Sequence, residues 1–187
     1  MFELLFRRAS TQHRVMIATA LFLLLCSAGP IRMTTPDGIP VTLQSLAVIL
    51  IPVLVGWRWG LGLVLGYLLC GGMGLPVFAG GTGGWAKFGG TTAGFLLAFP
   101  IAAVLTGALA ERITNFHSLL GGALMLLGQG VILVLGLAWS ANISPTPMDW
   151  QVAATNLTPG LLIKSGIGAF LIAIVARILR SAGKLEP

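Results

Sequence analysis

The chain has little charge. Only 9% of its 187 residues are Asp, Glu, Lys or Arg, where a soluble domain carries about 25%. So few charges cannot clothe a water-exposed surface, which excludes an ordinary soluble protein. Acids are scarcest: Glu3, Asp37, Glu111, Asp149 and Glu186 are all there are. None falls at the centre of an apolar run, which argues against a pump built on mid-membrane carboxylates. The two histidines, His13 and His117, fall near predicted helix ends. The two cysteines, Cys26 and Cys70, show no CxxC spacing and indicate neither a disulfide framework nor a metal site. No GxxxxGK[ST] loop is present, which excludes ATP hydrolysis by the P-loop route in this chain. No catalytic constellation appears, so the chain is not read as an enzyme. The net charge of +6 is spread between apolar runs rather than gathered with aromatics in a patch, which excludes nucleic acid as a partner.

What the chain does have is apolar length: 56% of its residues are hydrophobic. Residues 38–57, 59–86, 88–110 and 113–148 carry no Asp, Glu, Lys or Arg. A spanning helix needs about 20 mostly apolar residues, and irregular backbone is not tolerated against lipid. Gly, Pro and charge divide the runs into helices expected near 12–29, 41–56, 60–75, 92–110, 119–139 and 158–180. The expected fold is an all-α integral membrane protein, residues 1–187 forming one domain of six transmembrane helices, with the lipid bilayer as its solvent. The first run follows Arg7, Arg8 and Arg14 like a leader, but further spans follow, so a retained helix is expected.

With six spans both termini share a side. That side holds Arg7, Arg8, Arg14, Arg58, Arg112, Arg177, Arg180 and Lys184; the other holds Arg32 and Lys87. The excess makes the first side cytoplasmic. Trp57-Arg58-Trp59 falls on it, in the short connection between spans two and three, and suits the headgroup layer. Small residues, including Gly60, Gly62 and Gly66 in span three and Gly121, Gly122, Gly128 and Gly130 in span five, indicate close helix packing.

Three long loops are expected on the outer face: Pro30–Thr42, Pro76–Thr92 and Ser140–Pro159. The second is the most informative. It holds Gly80, Gly81, Gly83, Gly84, Gly89 and Gly90, with Phe78, Trp85 and Phe88 as flat apolar surface, Thr82 between them and Lys87 as a cation. Glycine lets backbone approach a ligand closely, and apolar walls with a few polar groups describe a small-molecule pocket. A flexible loop with a solvated lysine is the competing reading. Lys164, about one turn into the last predicted span, needs water, a partner or an anion. It either snorkels to the headgroups or, with Lys87, meets a negatively charged substrate group. Gln44, at the start of span two, lines the same pocket or bonds a neighbouring helix.

These segments carry a resemblance. Pro40-Val41-Thr42-Leu43-Gln44, Gly74-Leu75-Pro76-Val77-Phe78-Ala79-Gly80-Gly81, Gly89-Gly90-Thr91-Thr92-Ala93-Gly94-Phe95 and the late Pro159-Gly160 followed by Lys164 resemble the BioY family, the biotin-binding S components of energy-coupling factor transporters. The likeness covers nearly the whole chain. It implies an S-component-like bundle with cytoplasmic termini in a cell membrane, as in a bacterial inner membrane. It implies capture of biotin from outside, with no cofactor. A transmembrane coupling protein and cytoplasmic ATPases would supply the energy. The chain departs from the family at Leu161, where an acid that contacts the ureido group usually stands. Ureido recognition is then expected from Asn156, Gln44, Thr82 or loop backbone. The alternatives are an S component for a different vitamin and a membrane-embedded lipid-modifying enzyme.

Overall fold

The computed structural model describes residues 6, 9–30, 32–34, 40–113, 118–143 and 150–181. Six α-helices make up the bundle among these residues: α1 (Thr11–Ala28), α2 (Gln44–Val55), α3 (Trp57–Gly72), α4 (Ala93–Arg112), α5 (Ser118–Ile143) and α6 (Trp150–Ser181). Helices α1, α4, α5 and α6 are long and apolar enough to cross a bilayer. At 12 and 16 residues, α2 and α3 are only about 18 and 24 Å long, short of a hydrocarbon core of about 30 Å. Their length decides the architecture. They meet at a single residue, Gly56, whose φ of 89° and ψ of 159° turn the chain back sharply. Helix α2 therefore ends, and α3 begins, at the same face, and both fall short of the opposite one. The missing depth is filled by a two-stranded antiparallel ribbon, β1 (Arg32–Thr34) with β2 (Pro40–Thr42), and by the glycine loop.

The ends of the bundle match the charge pattern. The Trp57 N–H donates to Glu111 Oε1 at 3.0 Å, joining the start of α3 to the end of α4. Phe6 packs edge-on against Trp59, with ring centroids 5.4 Å apart. Exposed Arg58 and Arg112 sit at this end, with Arg58 over the Trp57 ring. This is the cytoplasmic face. Arg7, Arg8, His117 and Lys184 lie outside the described residues, as do Glu3, Asp37, Asp149 and Glu186.

Three boundaries differ from expectation. Trp57-Arg58-Trp59 is the first turn of α3 rather than a connecting loop, because Gly56 alone makes the turn. Pro40–Thr42 pairs in the ribbon, so α2 begins at Gln44. The third outer loop, expected over Ser140–Pro159, is mostly helix: α5 runs to Ile143 and α6 begins at Trp150. Thr158-Pro159-Gly160 reads as a helix start, yet Pro159 lies inside α6. Membrane helices tolerate such a proline because packing and nearby side chains re-satisfy the backbone. Here buried Ala153 and Leu157 pack with Leu137 of α5, and the pairing carries the helix through the proline.

Candidate ligand cavity in the outer half

A cavity of about 230 Å³ opens where the short helices stop. Its apolar side comes from three helices: Phe95, Leu96 and Phe99 of α4, Ile132 and Leu133 of α5, and Leu157 and Leu161 of α6. Its polar side comes from Thr42, Gln44 and Ser45, from Gln129 of α5, and from Lys164 of α6. The glycine loop closes it with Phe78, Ala79, Thr82, Lys87 and Thr92. Apolar walls with a few convergent polar groups are the ordinary form of a small-molecule site.

The charge balance is one-sided. Lys87 and Lys164 both line the cavity, and none of its lining residues is acidic. Lys164 reaches up from α6 so that its Nζ donates to Ser45 Oγ at 2.7 Å, with the Thr42 carbonyl at 3.5 Å. Both partners are neutral. A cation held so deep is costly unless an anion reaches it, so the cavity suits a ligand that carries a carboxylate or similar group. Lys164 therefore turns inward rather than snorkelling out.

The loop is pinned rather than loose. Gly80 and Gly81 take φ of 72° and 69°, the left-handed geometry that folds Phe78 back onto Thr82. The Phe78 N–H donates to the Thr82 carbonyl at 2.9 Å. The Gly84 N–H donates to Gly71 O at 2.7 Å, and Trp139 Nε1 of α5 donates to Gly90 O at 3.0 Å. Phe78 is buried edge-on between Tyr67, at 5.6 Å, and Phe88, at 5.8 Å. Beneath it, Tyr67 OH donates to Val77 O at 2.9 Å and accepts from Gln44 Nε2, which also reaches Val77 O. Thr42 Oγ1 donates to Gln44 Oε1 at 2.9 Å. Gln44 does two things at once: it lines the cavity and ties the ribbon, α3 and the loop together.

Of the residues singled out from sequence, Gln44, Phe78, Thr82, Lys87 and Lys164 converge on the cavity. Three do not. Gly80 shapes the turn, and its N–H donates to Gly29 O at 3.2 Å rather than facing the cavity. Trp85 is 59% exposed and packs on Phe88 and Gly72 at the rim. Asn156 is half-buried on another face of α6, because Leu157, Leu161 and Lys164 take the cavity face at helical spacing. Sequence reasoning misses Ser45, the α4 aromatics Phe95 and Phe99, and Gln129. For Gln129 a signal exists, a lone amide midway along an apolar run.

Fold and cavity together define a multi-pass membrane protein built to hold a small, anionic, partly apolar molecule on its outer side. The same fold appears in the crystal structure at 2.1 Å of the S-component for biotin from an ECF-type ABC transporter. That structure superposes with a TM-score of 0.76 at 22% identity, over 90% of this chain and 95% of that one. The sequence profile of the BioY family matches residues 6–182, and the chain belongs to that family. It is 35% identical to the biotin transporter BioY of Rhodobacter capsulatus, over 78% of this chain and 83% of that protein. It is 34% identical to the biotin transporter BioY of Rhizobium etli, over 84% and 90%. These relatives are transporters rather than enzymes.

Proposed function

We propose that this protein is the biotin-binding membrane subunit of an energy-coupling factor transporter, residues 1–187 forming one substrate-binding domain in a cell membrane such as the bacterial inner membrane. The observation that carries the reading is a cavity in the outer half that holds two lysines and no acid among apolar walls. Biotin matches it part by part. Its carboxylate meets Lys164 and Lys87, and its thioether ring and methylene chain meet Phe95, Phe99, Leu157 and Leu161. The pinned glycine loop preorganises the closing wall, which lowers the ordering cost of binding. The chain has no nucleotide-binding loop, so a coupling protein and ATPase subunits would drive release inward.

The test is direct. Protein purified in detergent is expected to retain biotin by mass spectrometry and to bind labelled biotin in competition with unlabelled biotin but not riboflavin or thiamine. Lys164→Ala should weaken binding by about 3 kcal/mol, on the order of 100-fold, since the ligand carboxylate then sits desolvated without its cation. Displacement of the label by another vitamin, or unchanged affinity in the variant, would overturn this assignment.

A further inference from the structure

Gln129 is only 3% exposed, and its Nε2 finds no hydrogen-bond partner among the described residues. It lies midway along α5 with its side chain on the cavity wall. A buried amide without a partner costs about 1–3 kcal/mol, and polar groups kept at this depth of a membrane protein are characteristically functional. Ile132 and Leu133, which follow it along the same wall, are apolar.

Its depth follows from the helix register. Gly168 of α6 packs on Met125 of α5, and Gly122 of α5 on Ala169 of α6. In an antiparallel pair this register sets the Cα of Lys164 level with Gln129. The lysine then reaches outward to Ser45, in the first turn of α2. The glycine before Gln129, Gly128, instead packs on Ile49, one turn deeper along α2. The cavity thus has two poles, an ammonium toward the mouth and an amide toward the floor. Gln44, the other amide on the wall, is committed to Tyr67, Val77 and Thr42.

We propose that Gln129 is the residue that recognises the ureido group of biotin, which binds with its fused rings toward the floor and its carboxylate toward the mouth. The assignment rests on the biotin reading above and adds to it. An amide offers one carbonyl acceptor and an N–H donor side by side, and half a turn about its last bond exchanges them. A cyclic urea presents the matching pair, an N–H beside a carbonyl. Two parallel hydrogen bonds form, which pair the amide's carbonyl and one of its N–H groups with the matching N–H and carbonyl of the urea.

Gln129→Met keeps the volume and removes both hydrogen-bonding groups. The full-length variant in detergent is titrated with biotin and with a biotin analogue that keeps the thioether ring and the valerate but lacks the ureido bridge. Biotin affinity is expected to fall by about 10-fold or more, while the weaker affinity for the analogue stays at the wild-type value. Thermal unfolding of the ligand-free variant should occur at the same temperature as wild type or higher, because Nε2 has no partner among the described residues. Unchanged biotin affinity, an equal loss for both ligands, or a lower unfolding temperature without ligand would each overturn the assignment. In the first case Lys164→Ala still weakens biotin, so the function stands without Gln129. Wild-type protein that binds neither ligand removes the biotin reading and this assignment with it.

Discussion

The two halves of the bundle solve different problems with the same kinds of residue. At the cytoplasmic end glycine removes bulk: a Cβ added to Gly60 would lie 2.6 Å from the backbone and ring of Pro52, and one on Gly107 would lie 2.8 Å from Trp57 Cα. A buried polar group beside this region, Thr106 Oγ1, donates to its own helix at Ala102 O, 2.7 Å away. At the outer end glycine supplies turns instead, in Gly80, Gly81 and Gly84, and polar groups on the wall face a cavity. Close packing at small residues holds helices together in lipid, where burial alone does not. Shortened helices with irregular backbone leave room for a ligand, and the protein rather than lipid surrounds that backbone.

Breaking the inner half should therefore cost stability, with ligand affinity preserved in whatever folds. The largest effect is expected from Gly60→Leu. Its added side chain meets Pro52 backbone, which cannot yield as a flexible side-chain tip could. A loss of about 3 kcal/mol is expected, at the upper end for overpacking. Thermal unfolding in detergent measures it, and ligand titration of the folded fraction should return the wild-type affinity. A stable variant with weakened binding would mean that the two halves are not separable.

Tyr67→Phe tests the seam between the halves. Its hydroxyl joins Gln44 of α2 to Val77 of the loop, and its ring supports Phe78. Removing the oxygen leaves the buried Gln44 amide short of an acceptor, at a cost of about 1–2 kcal/mol. Unlike Gly60→Leu, it should lower both unfolding temperature and ligand affinity, since Val77 precedes the Phe78 that lines the cavity. Loss of stability alone would place the loop outside the binding machinery.

Much of this division is legible in the amino-acid order alone. Uninterrupted apolar runs locate every helix of the bundle, since lipid leaves the backbone few options. The charge asymmetry orients it, and Arg58 and Arg112 do share one end with Phe6 and Trp59. Lys164 is conspicuous because a cation in an apolar run must answer to something. Other parts are not legible. Helix α6 runs through Pro159 because tertiary packing by Ala153 and Leu157 overrides a local stop signal. Trp85 and Asn156 look as suitable as Phe78 and Gln44, because composition names chemistry without direction, and one residue of helical rotation separates Asn156 from the wall that Leu157 joins. The α4 aromatics Phe95 and Phe99 carry no chemical mark that points them inward; only the packing of α4 against α5 and α2 turns them to the cavity.

The smallest expected effect compares the two cations of the outer half. Lys164 is anchored on Ser45 and surrounded by protein. Lys87 is half-buried in the short turn Trp85–Phe88 and stands at the mouth, beside a tryptophan that is 59% exposed. Water and salt reach Lys87 more readily, so its attraction for a carboxylate is screened. Lys87→Ala should lower affinity by no more than about 1 kcal/mol, roughly fivefold. That loss should shrink as salt is raised, while the loss in Lys164→Ala persists. A rim charge acts mainly on encounter, so the change should appear in the association rate, measured by stopped-flow quenching with a fluorescent biotin conjugate. If Lys87→Ala instead speeds dissociation as strongly as Lys164→Ala does, and salt leaves both unchanged, the two lysines form one desolvated clamp. The distinction between a steering rim and an anchoring wall would then disappear.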